Sequence, residues 1–205
     1  MQKRMLWAPV IPLFLSLCLG GCSGTTQENQ LALDLRTEFL AIDGCAGAME
    51  VWADYGQRVY QYTVEFSGTQ EAGLTLVITA PQEVAGITAQ VEEGQTWLSF
   101  DGVRLETGPL NQEGLSPLDA LPAFLTAMQS GCIAESGSEW LGEREALRLC
   151  CRDPAEEPGQ GLETVLWFDK EGKNLLQGEL RNEGSTVVRC VFSSFTLTET
   201  TKEKG

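Results

Sequence analysis

Apolar and polar side chains alternate without a break from Tyr60 to Phe66, where the sequence is YQYTVEF. Successive side chains of a β-strand point to opposite faces of its sheet. The alternation therefore places two tyrosines, Val64 and Phe66 on one face and only polar side chains on the other. One buried and one solvated face is typical of a strand in an antiparallel sheet, so this segment predicts such a sheet.

Shorter segments with the same alternation, or with β-branched and aromatic residues, lie on both sides of this strand. Turn-forming residues separate them, notably the stretch from Gly68 to Gly73 and Pro81. Strands that recur about every 10 to 13 residues with short connections predict an antiparallel meander. The predicted strands of this part are 48–53, 59–66, 74–78, 87–91 and 97–100.

Two segments show the periodicity of an amphipathic helix rather than the alternation of a strand. The first runs from Leu31 to Ile42 and the second from Leu118 to Gln129. Ser116 is placed to cap the second helix and Gly131 to end it, while Pro122 sits near its first turn. Each helix carries one apolar stripe, so each needs a sheet face or another helix to cover it.

After the second helix the strand pattern returns in about five segments, the last of which reaches Leu197. A β-sandwich or closed barrel would not need two amphipathic helices, because its faces cover one another. We predict an α+β domain over residues 31–198, with residues 199–205 as a disordered tail. Its core would be a curved antiparallel half-barrel sheet of about ten strands, with two helices closing the concave side.

The N-terminus has the features of a bacterial lipoprotein signal. Lys3 and Arg4 precede a short apolar stretch that ends in Leu19-Gly-Gly-Cys22, which resembles a lipobox. We predict that residues 1–21 are removed, that Cys22 is acylated, and that residues 22–30 form the lipidated cysteine and a polar tether. The chain would then be lipid-anchored on the extracytoplasmic face of the cell membrane. An ordinary secretory signal that happens to end at a cysteine is the alternative.

The predicted mature chain is strongly acidic. All 29 acidic residues follow the signal segment, and the loss of Lys3 and Arg4 leaves 12 basic residues, for a net charge of −17. Such a surface repels phosphate backbones and anionic headgroups. We therefore expect no nucleic-acid partner, and we expect contact with the membrane to depend on the N-terminal lipid.

The chain contains no histidine. This excludes imidazole-assisted serine or cysteine nucleophiles and histidine-ligated zinc. The sequence also lacks the motifs of common hydrolases, of phosphate-binding loops and of EF-hands. Hydrolysis by carboxylates alone stays open, but no acidic pair stands out from the solvated background. We predict a protein that is not an enzyme, with no catalytic residue, no metal and no cofactor.

Besides the acylated Cys22, the predicted mature chain has five cysteines, an odd number for an oxidising compartment. We predict a disulfide between Cys45 and Cys132, since each follows a glycine after a predicted helix. Either Cys150 or Cys151 could meet Cys190 across the sheet, or these three could be buried free thiols. The leftover thiol suggests a disulfide-linked homodimer.

The order of elements resembles that of the lipoprotein-carrier superfamily, which includes LolA, LolB and GerS-like lipoproteins of Gram-positive bacteria. The resemblance rests on the first helix, the strand from Tyr60 to Phe66, the Leu115-Ser-Pro117 entry to the second helix, and the strand ending in Leu166-Trp-Phe-Asp169. It implies a non-enzymatic half-barrel whose hollow holds acyl chains or a segment of a partner. Through the GerS-like members it also implies a role in spore germination.

Large rings on the predicted strands are candidates for lining this hollow, and they are Tyr60, Tyr62, Phe66, Trp97, Trp167 and Phe192. An empty hollow would suit an acyl chain, a lipoprotein or another apolar ligand. If the helices fill the hollow, the rings are ordinary core residues. The alternative function is then a protein-interaction lipoprotein that supports an envelope, spore-cortex or germination enzyme through its sheet edges or its acidic surface.

Overall fold

The computed structural model of the chain describes residues 23–92, 95–106 and 115–199. The predicted signal peptide, Cys22 and residues 200–205 of the predicted tail lie outside these ranges. The helices are α1 (Ser23–Leu40) and α2 (Ala120–Ser130). The strands are β1 (Ile42–Asp54), β2 (Val59–Thr69), β3 (Gly73–Ala80), β4 (Thr88–Glu92), β5 (Gln95–Phe100), β6 (Val103–Glu106), β7 (Ile133–Leu141), β8 (Arg144–Arg152), β9 (Leu162–Asp169), β10 (Leu175–Asn182) and β11 (Ser185–Glu199).

The described strands form one antiparallel sheet in the order β6-β5-β4-β3-β2-β1-β11-β10-β9-β8-β7. Each half of the sheet is a meander of neighbouring strands. The two halves join at the centre, where the longest strands, β1 and β11, pair from Ile42 opposite Glu199 to Ala53 opposite Val188. The predicted α+β domain built on a curved antiparallel sheet is therefore confirmed in outline.

Both helices begin at different residues from those predicted. α1 begins at Ser23 rather than Leu31, so the segment expected to be a flexible tether is helical. α2 begins at Ala120, two residues after the predicted start. Pro122 is the third residue of α2, and proline is tolerated there because the first turn has no intrahelical N–H bonds to lose. Ser116 caps a preceding turn instead, its Oγ accepting a bond from the Leu118 N–H at 3.3 Å.

The two helices are bonded to each other at the C-terminal end of α2. The Arg36 guanidinium of α1 donates to the backbone carbonyls of Ala127, Met128 and Gly131, at 3.3, 3.1 and 2.5 Å. A helix leaves its last carbonyls without intrahelical partners and carries partial negative charge there. The Arg36 guanidinium supplies hydrogen-bond donors to these carbonyls and a positive charge beside them, so it fixes α1 against α2.

One face of the sheet, called here the inner face, carries the main hydrophobic core. The apolar sides of α1 and α2 pack on this face, and six phenylalanine rings from helices and strands form a connected cluster with centroid separations of 5.5–6.4 Å. Edge-on and offset pairs at such distances stabilise a core beyond the area they bury. The six rings are Phe39, Phe66, Phe124, Phe168, Phe192 and Phe195.

Candidate functional site

Four of the six candidate ring residues lie on the inner face. Phe66 and Phe192 are buried in the phenylalanine cluster, with their centroids 6.0 Å apart. Tyr62 is partly buried against the same core, and Tyr60 stacks on it at 6.3 Å from an exposed position. These four rings therefore run from the core to the rim of the inner face.

The two candidate tryptophans lie on the opposite, outer face. Trp97 precedes Leu98, which packs on the inner core, and the Arg104 guanidinium lies 4.8 Å from its ring centroid. Trp167 belongs to a separate small cluster, and its Nε1 donates to Glu139 at 3.0 Å. Neither indole lines the inner face. Trp167 stands in a run of four apolar residues, so alternation could not reveal that its neighbour Phe168 takes the inner side.

The centre of the inner face is filled by side chains of the helices. Leu35 and Phe39 of α1, with Leu121, Phe124 and Met128 of α2, are fully or almost fully buried there. One apolar cavity of about 140 Å³ remains under the C-terminal end of α2, bounded by Leu125, Gln129 and strands β1 to β3. Binding sites for small molecules usually measure about 300–1,000 Å³, so this cavity is small by comparison.

The inner face is open at the other end of the sheet. The register pairs Leu98 with Leu105 and Phe100 with Val103, which places all four on the face that carries the core. Phe100, Val103 and Leu105 are 49%, 70% and 61% exposed, and we call these three residues the β6 shelf. Among the described strands β6 pairs with β5 alone and forms one edge of the sheet. The β6 shelf is thus an exposed apolar surface beside a free strand edge.

A polar group borders the inner face near the start of α2. The Tyr55 hydroxyl donates to the Leu115 carbonyl at 2.8 Å, and Tyr55 packs against Tyr60 at 6.0 Å. Asp119 precedes α2, and its Oδ2 is buried without a hydrogen-bond partner among the described residues. Burial raises the pKa of Asp119 to about 6. Its carboxyl therefore keeps a proton at a higher pH than an ordinary aspartate.

The five described cysteines are free thiols, and the predicted Cys45–Cys132 disulfide is absent from the structure. Cys45 is buried beside the cavity under α2, whereas Cys132 is exposed in a separate open groove of about 530 Å³ that Cys151 also lines. Cys150 and Cys151 lie on β8 and cannot meet Cys190 on β11, because β9 and β10 run between them.

Burial suppresses the reactivity of most of these thiols. It raises the pKa of Cys45 and of Cys151 to about 11, and it also raises the pKa values of Cys150 and Cys190. The thiolate is the reactive form of cysteine, so these four side chains are protonated and weakly nucleophilic at neutral pH. They behave as small core residues.

The outer face of the C-terminal half carries a network of charged side chains. Glu179 is buried, and it accepts hydrogen bonds from Arg181, Arg189, Thr186 and Gln177. Burial would raise the pKa of Glu179, but the bonds from the two guanidinium groups outweigh it and hold this pKa below its usual value. Gln177 and Arg181 lie two residues away on β10, but nothing in the sequence pattern marks this glutamate as buried, because Thr186 and Arg189 reach it only through the pairing of β10 with β11.

The described residues include no group of three or more cysteine or carboxylate side chains arranged to hold a metal ion. No helix within the same ranges is long and apolar enough to span a bilayer. Among the described residues, the small cavity under α2, the open groove and the β6 shelf are candidates for a binding function.

No family model matches the chain, and no curated protein matches it at a significant level. Solved structures are similar. An uncharacterised conserved protein from Thermus thermophilus superposes with a TM-score of 0.50 at 13% identity, over 84% of this chain and 89% of that one. For a putative outer membrane lipoprotein-sorting protein domain from Vibrio parahaemolyticus the TM-score is 0.48 at 11% identity, over 87% and 95%. For a LolA superfamily protein from Nitrosomonas europaea it is 0.41 at 9% identity, over 84% and 94%.

The chain has the same fold as the Thermus thermophilus protein. Identities of 9–13% carry no information on the ligand, because one fold hosts many functions. What this chain binds has to be argued from its own surfaces.

Proposed function

We propose that the chain is a non-catalytic interaction protein, held outside the cytoplasmic membrane by the lipid on Cys22. We further propose that the β6 shelf binds an extended apolar segment of a basic envelope protein. The observation that carries this proposal is the filled centre of the inner face, where buried side chains of α1 and α2 leave a cavity of only about 140 Å³.

The shape of the β6 shelf suits a protein segment better than a small molecule. A small ligand needs a concave site that buries most of its surface, whereas this shelf is open to solvent. A free strand edge presents unpaired backbone N–H and C=O groups, to which an extended peptide can add as a further strand. The exposed side chains of Phe100, Val103 and Leu105 would then contact alternate side chains of that peptide.

The charge of the chain supports a basic partner. A net charge of −17 on the predicted mature chain attracts a positively charged protein and raises its association rate. The shelf itself contributes apolar contacts. The neighbouring residues of β6, Arg104 and Glu106, carry opposite charges that offset each other. Long-range attraction and local apolar binding are thus separated on this surface.

Substitution of Val103 by lysine tests the proposal. Val103 is 70% exposed, so V103K changes the stability of the fold by no more than about 0.5 kcal/mol. A charge on a strand edge opposes the addition of another strand, and a loss of about 1.4 kcal/mol weakens binding about tenfold. V59K is the matched control, because Val59 is 64% exposed on β2, away from the β6 shelf.

The measurement has two stages. A photo-reactive residue at position 103 in living cells is expected to cross-link one envelope protein, and the same residue at position 59 is not. The protein identified in this way is then purified and titrated against wild type, V103K and V59K. Equal cross-linking at both positions, or an unchanged Kd for V103K, contradicts the proposal. An adduct with the mass of two copies of this chain would mean that the partner is a second copy of the chain rather than another envelope protein.

A second candidate function rests on the cavity under α2. The cavity is apolar, and its volume of about 140 Å³ is close to that of engineered cavities that bind benzene. It can therefore receive the end of an acyl chain of a lipid or lipoprotein, but not a whole chain.

Filling this cavity tests the second candidate. L125W places an indole in the cavity, while L33W adds the same ring at an exposed position of α1. Native mass spectrometry and lipid extraction of the detergent-free domain from Ser23 onward are expected to detect an acyl species with wild type and L33W but not with L125W. Absence of this species from wild type would remove the acyl-binding function and leave the interaction function standing.

A further inference from the structure

The first turns of α1 lie along β7, the sheet edge opposite β6. The Ser136 hydroxyl donates to the Asn29 side-chain oxygen at 2.7 Å, and the Ser138 hydroxyl donates to the Glu28 carboxylate. Ser136 and Ser138 pair with Leu149 and Leu147, so both project from the inner face. Each step backward along α1 therefore corresponds to a step forward along β7.

The next residue of β7 on the same face is Trp140. At about 3.3 Å per residue, Trp140 lies about 7 Å beyond Ser138 along the strand. From Glu28 back to Ser23, α1 extends about 7.5 Å in the same direction at about 1.5 Å per residue. Trp140 and the start of α1 therefore lie at similar positions along the direction of β7, and Ser23, the first residue of α1, directly follows Cys22 in the sequence.

Trp140 is 67% exposed at the tip of the β7–β8 hairpin. Tryptophan combines a large apolar ring with a polar N–H, and it is enriched where hydrocarbon meets water. An exposed indole at the base of a lipid-anchored helix is placed to enter this interfacial layer.

Basic side chains offset part of the acidic charge around the hairpin tip. Trp140 pairs across the strands with Glu145, whose carboxylate accepts a hydrogen bond from the Lys170 ammonium at 2.8 Å. The turn adds one acidic and one basic residue, Glu143 and Arg144. Anionic headgroups repel an acidic surface, and Arg144 and Lys170 reduce that repulsion at the tip.

We propose that Trp140 inserts into the membrane interface beside the acyl chains on Cys22 and orients the domain with its β7–β8 hairpin against the bilayer. This rests on the lipidation proposed above. All neighbouring strands are antiparallel, so the β5–β6 turn beside the shelf lies at the opposite end of the strands from the β7–β8 hairpin. The orientation therefore leaves the β6 shelf away from the membrane. The membrane thus contacts the β7 edge of the sheet, and the β6 edge is left for the protein partner.

Fluorescence quenching by brominated lipids tests this orientation. The lipidated protein is reconstituted into phosphatidylcholine vesicles with either brominated or ordinary acyl chains, and tryptophan emission is compared. The predicted mature chain has four tryptophans, at positions 52, 97, 140 and 167. Wild type and the control W97F are expected to lose the emission of Trp140 in brominated vesicles, and W140F is expected to show no such loss.

Each other outcome has a distinct meaning. Vesicle-bound wild type that is not quenched, or W140F quenched as strongly as wild type, overturns the orientation while the lipid anchor stands. Protein that does not float with the vesicles overturns the lipidation of Cys22, and the orientation with it.

Discussion

Replacing Phe124 by alanine is expected to lower the free energy of unfolding by about 3–5 kcal/mol. The ring is fully buried between α2 and the sheet, where it meets Phe192 at 6.4 Å and covers Gly178 of β10. Its removal leaves a cavity that the rigid strands cannot close. Urea unfolding at 25 °C measures the change, and F100A is the control because Phe100 is about half exposed. A loss under about 1 kcal/mol would mean that α2 contributes little to the core.

The contact between Phe124 and Gly178 also makes a coupled prediction. A Cβ at position 178 would lie 2.5 Å from the Phe124 ring, so G178A is expected to cost about 1–3 kcal/mol through overpacking. In the F124A background this cost should fall by about 1 kcal/mol or more, since the clashing ring is absent. G137A is the control, because a Cβ at Gly137 meets nothing within 4 Å. Additive costs would contradict the packing of α2 on β10.

Replacing Glu179 by glutamine is expected to cost about 2–3 kcal/mol at pH 7. The carboxylate accepts bonds from Arg181 at 2.6 and 2.8 Å and from Arg189 at 2.8 Å. Breaking a fully buried ion pair costs about 3–5 kcal/mol, but both arginines are partly exposed and regain water, which keeps the loss lower. E171Q, at an exposed turn position, is expected to have little effect.

The cost of E179Q is also expected to depend on pH. The pKa of Glu179 is lower in the folded chain than its ordinary value of 4.5, because the two guanidinium groups outweigh the effect of burial. A carboxylate with a lowered pKa stabilises the fold above the unfolded pKa, and it loses this effect as the pH falls through the folded value. The difference in stability between wild type and E179Q should therefore be constant above pH 5 and shrink below 4.5. A difference that persists undiminished at pH 2 would contradict the ion-pair assignment.

Much of the sheet could be predicted because one of its faces is exposed to solvent. The alternation from Tyr60 to Phe66 lies within β2, and its Val64 and Phe66 are buried as expected. The short strand β6 was missed, since a four-residue segment with two charged side chains has no strand signal of its own. It forms because the turn at Asp101 and Gly102 returns the chain to pair with β5.

The helices were harder to delimit. The segment predicted as the second helix contains most of α2, and its Leu121 and Met128 are fully buried, because helical periodicity reports burial directly. The start of α1 was not predicted. Its first turns are polar, and side-chain bonds to Ser136 and Ser138 on a strand more than 100 residues away accompany their helical form. A local pattern contains no information on such distant partners.

The candidate binding site, too, could be predicted from the sequence only in part. The local sequence identified which segments are strands and which helices are amphipathic, because burial on one side imposes a period of two or about 3.6 residues. It could not tell which side chains of the uninterrupted apolar run around Trp167 and Phe168 face the inner side of the sheet, because either assignment would bury a large side chain. Only the tertiary structure decided that the phenylalanine rings fill the inner face, that two tryptophans lie outside it, and that Arg189 of β11 joins Arg181 at Glu179. These outcomes depend on strand register and helix docking, which join residues far apart in the chain.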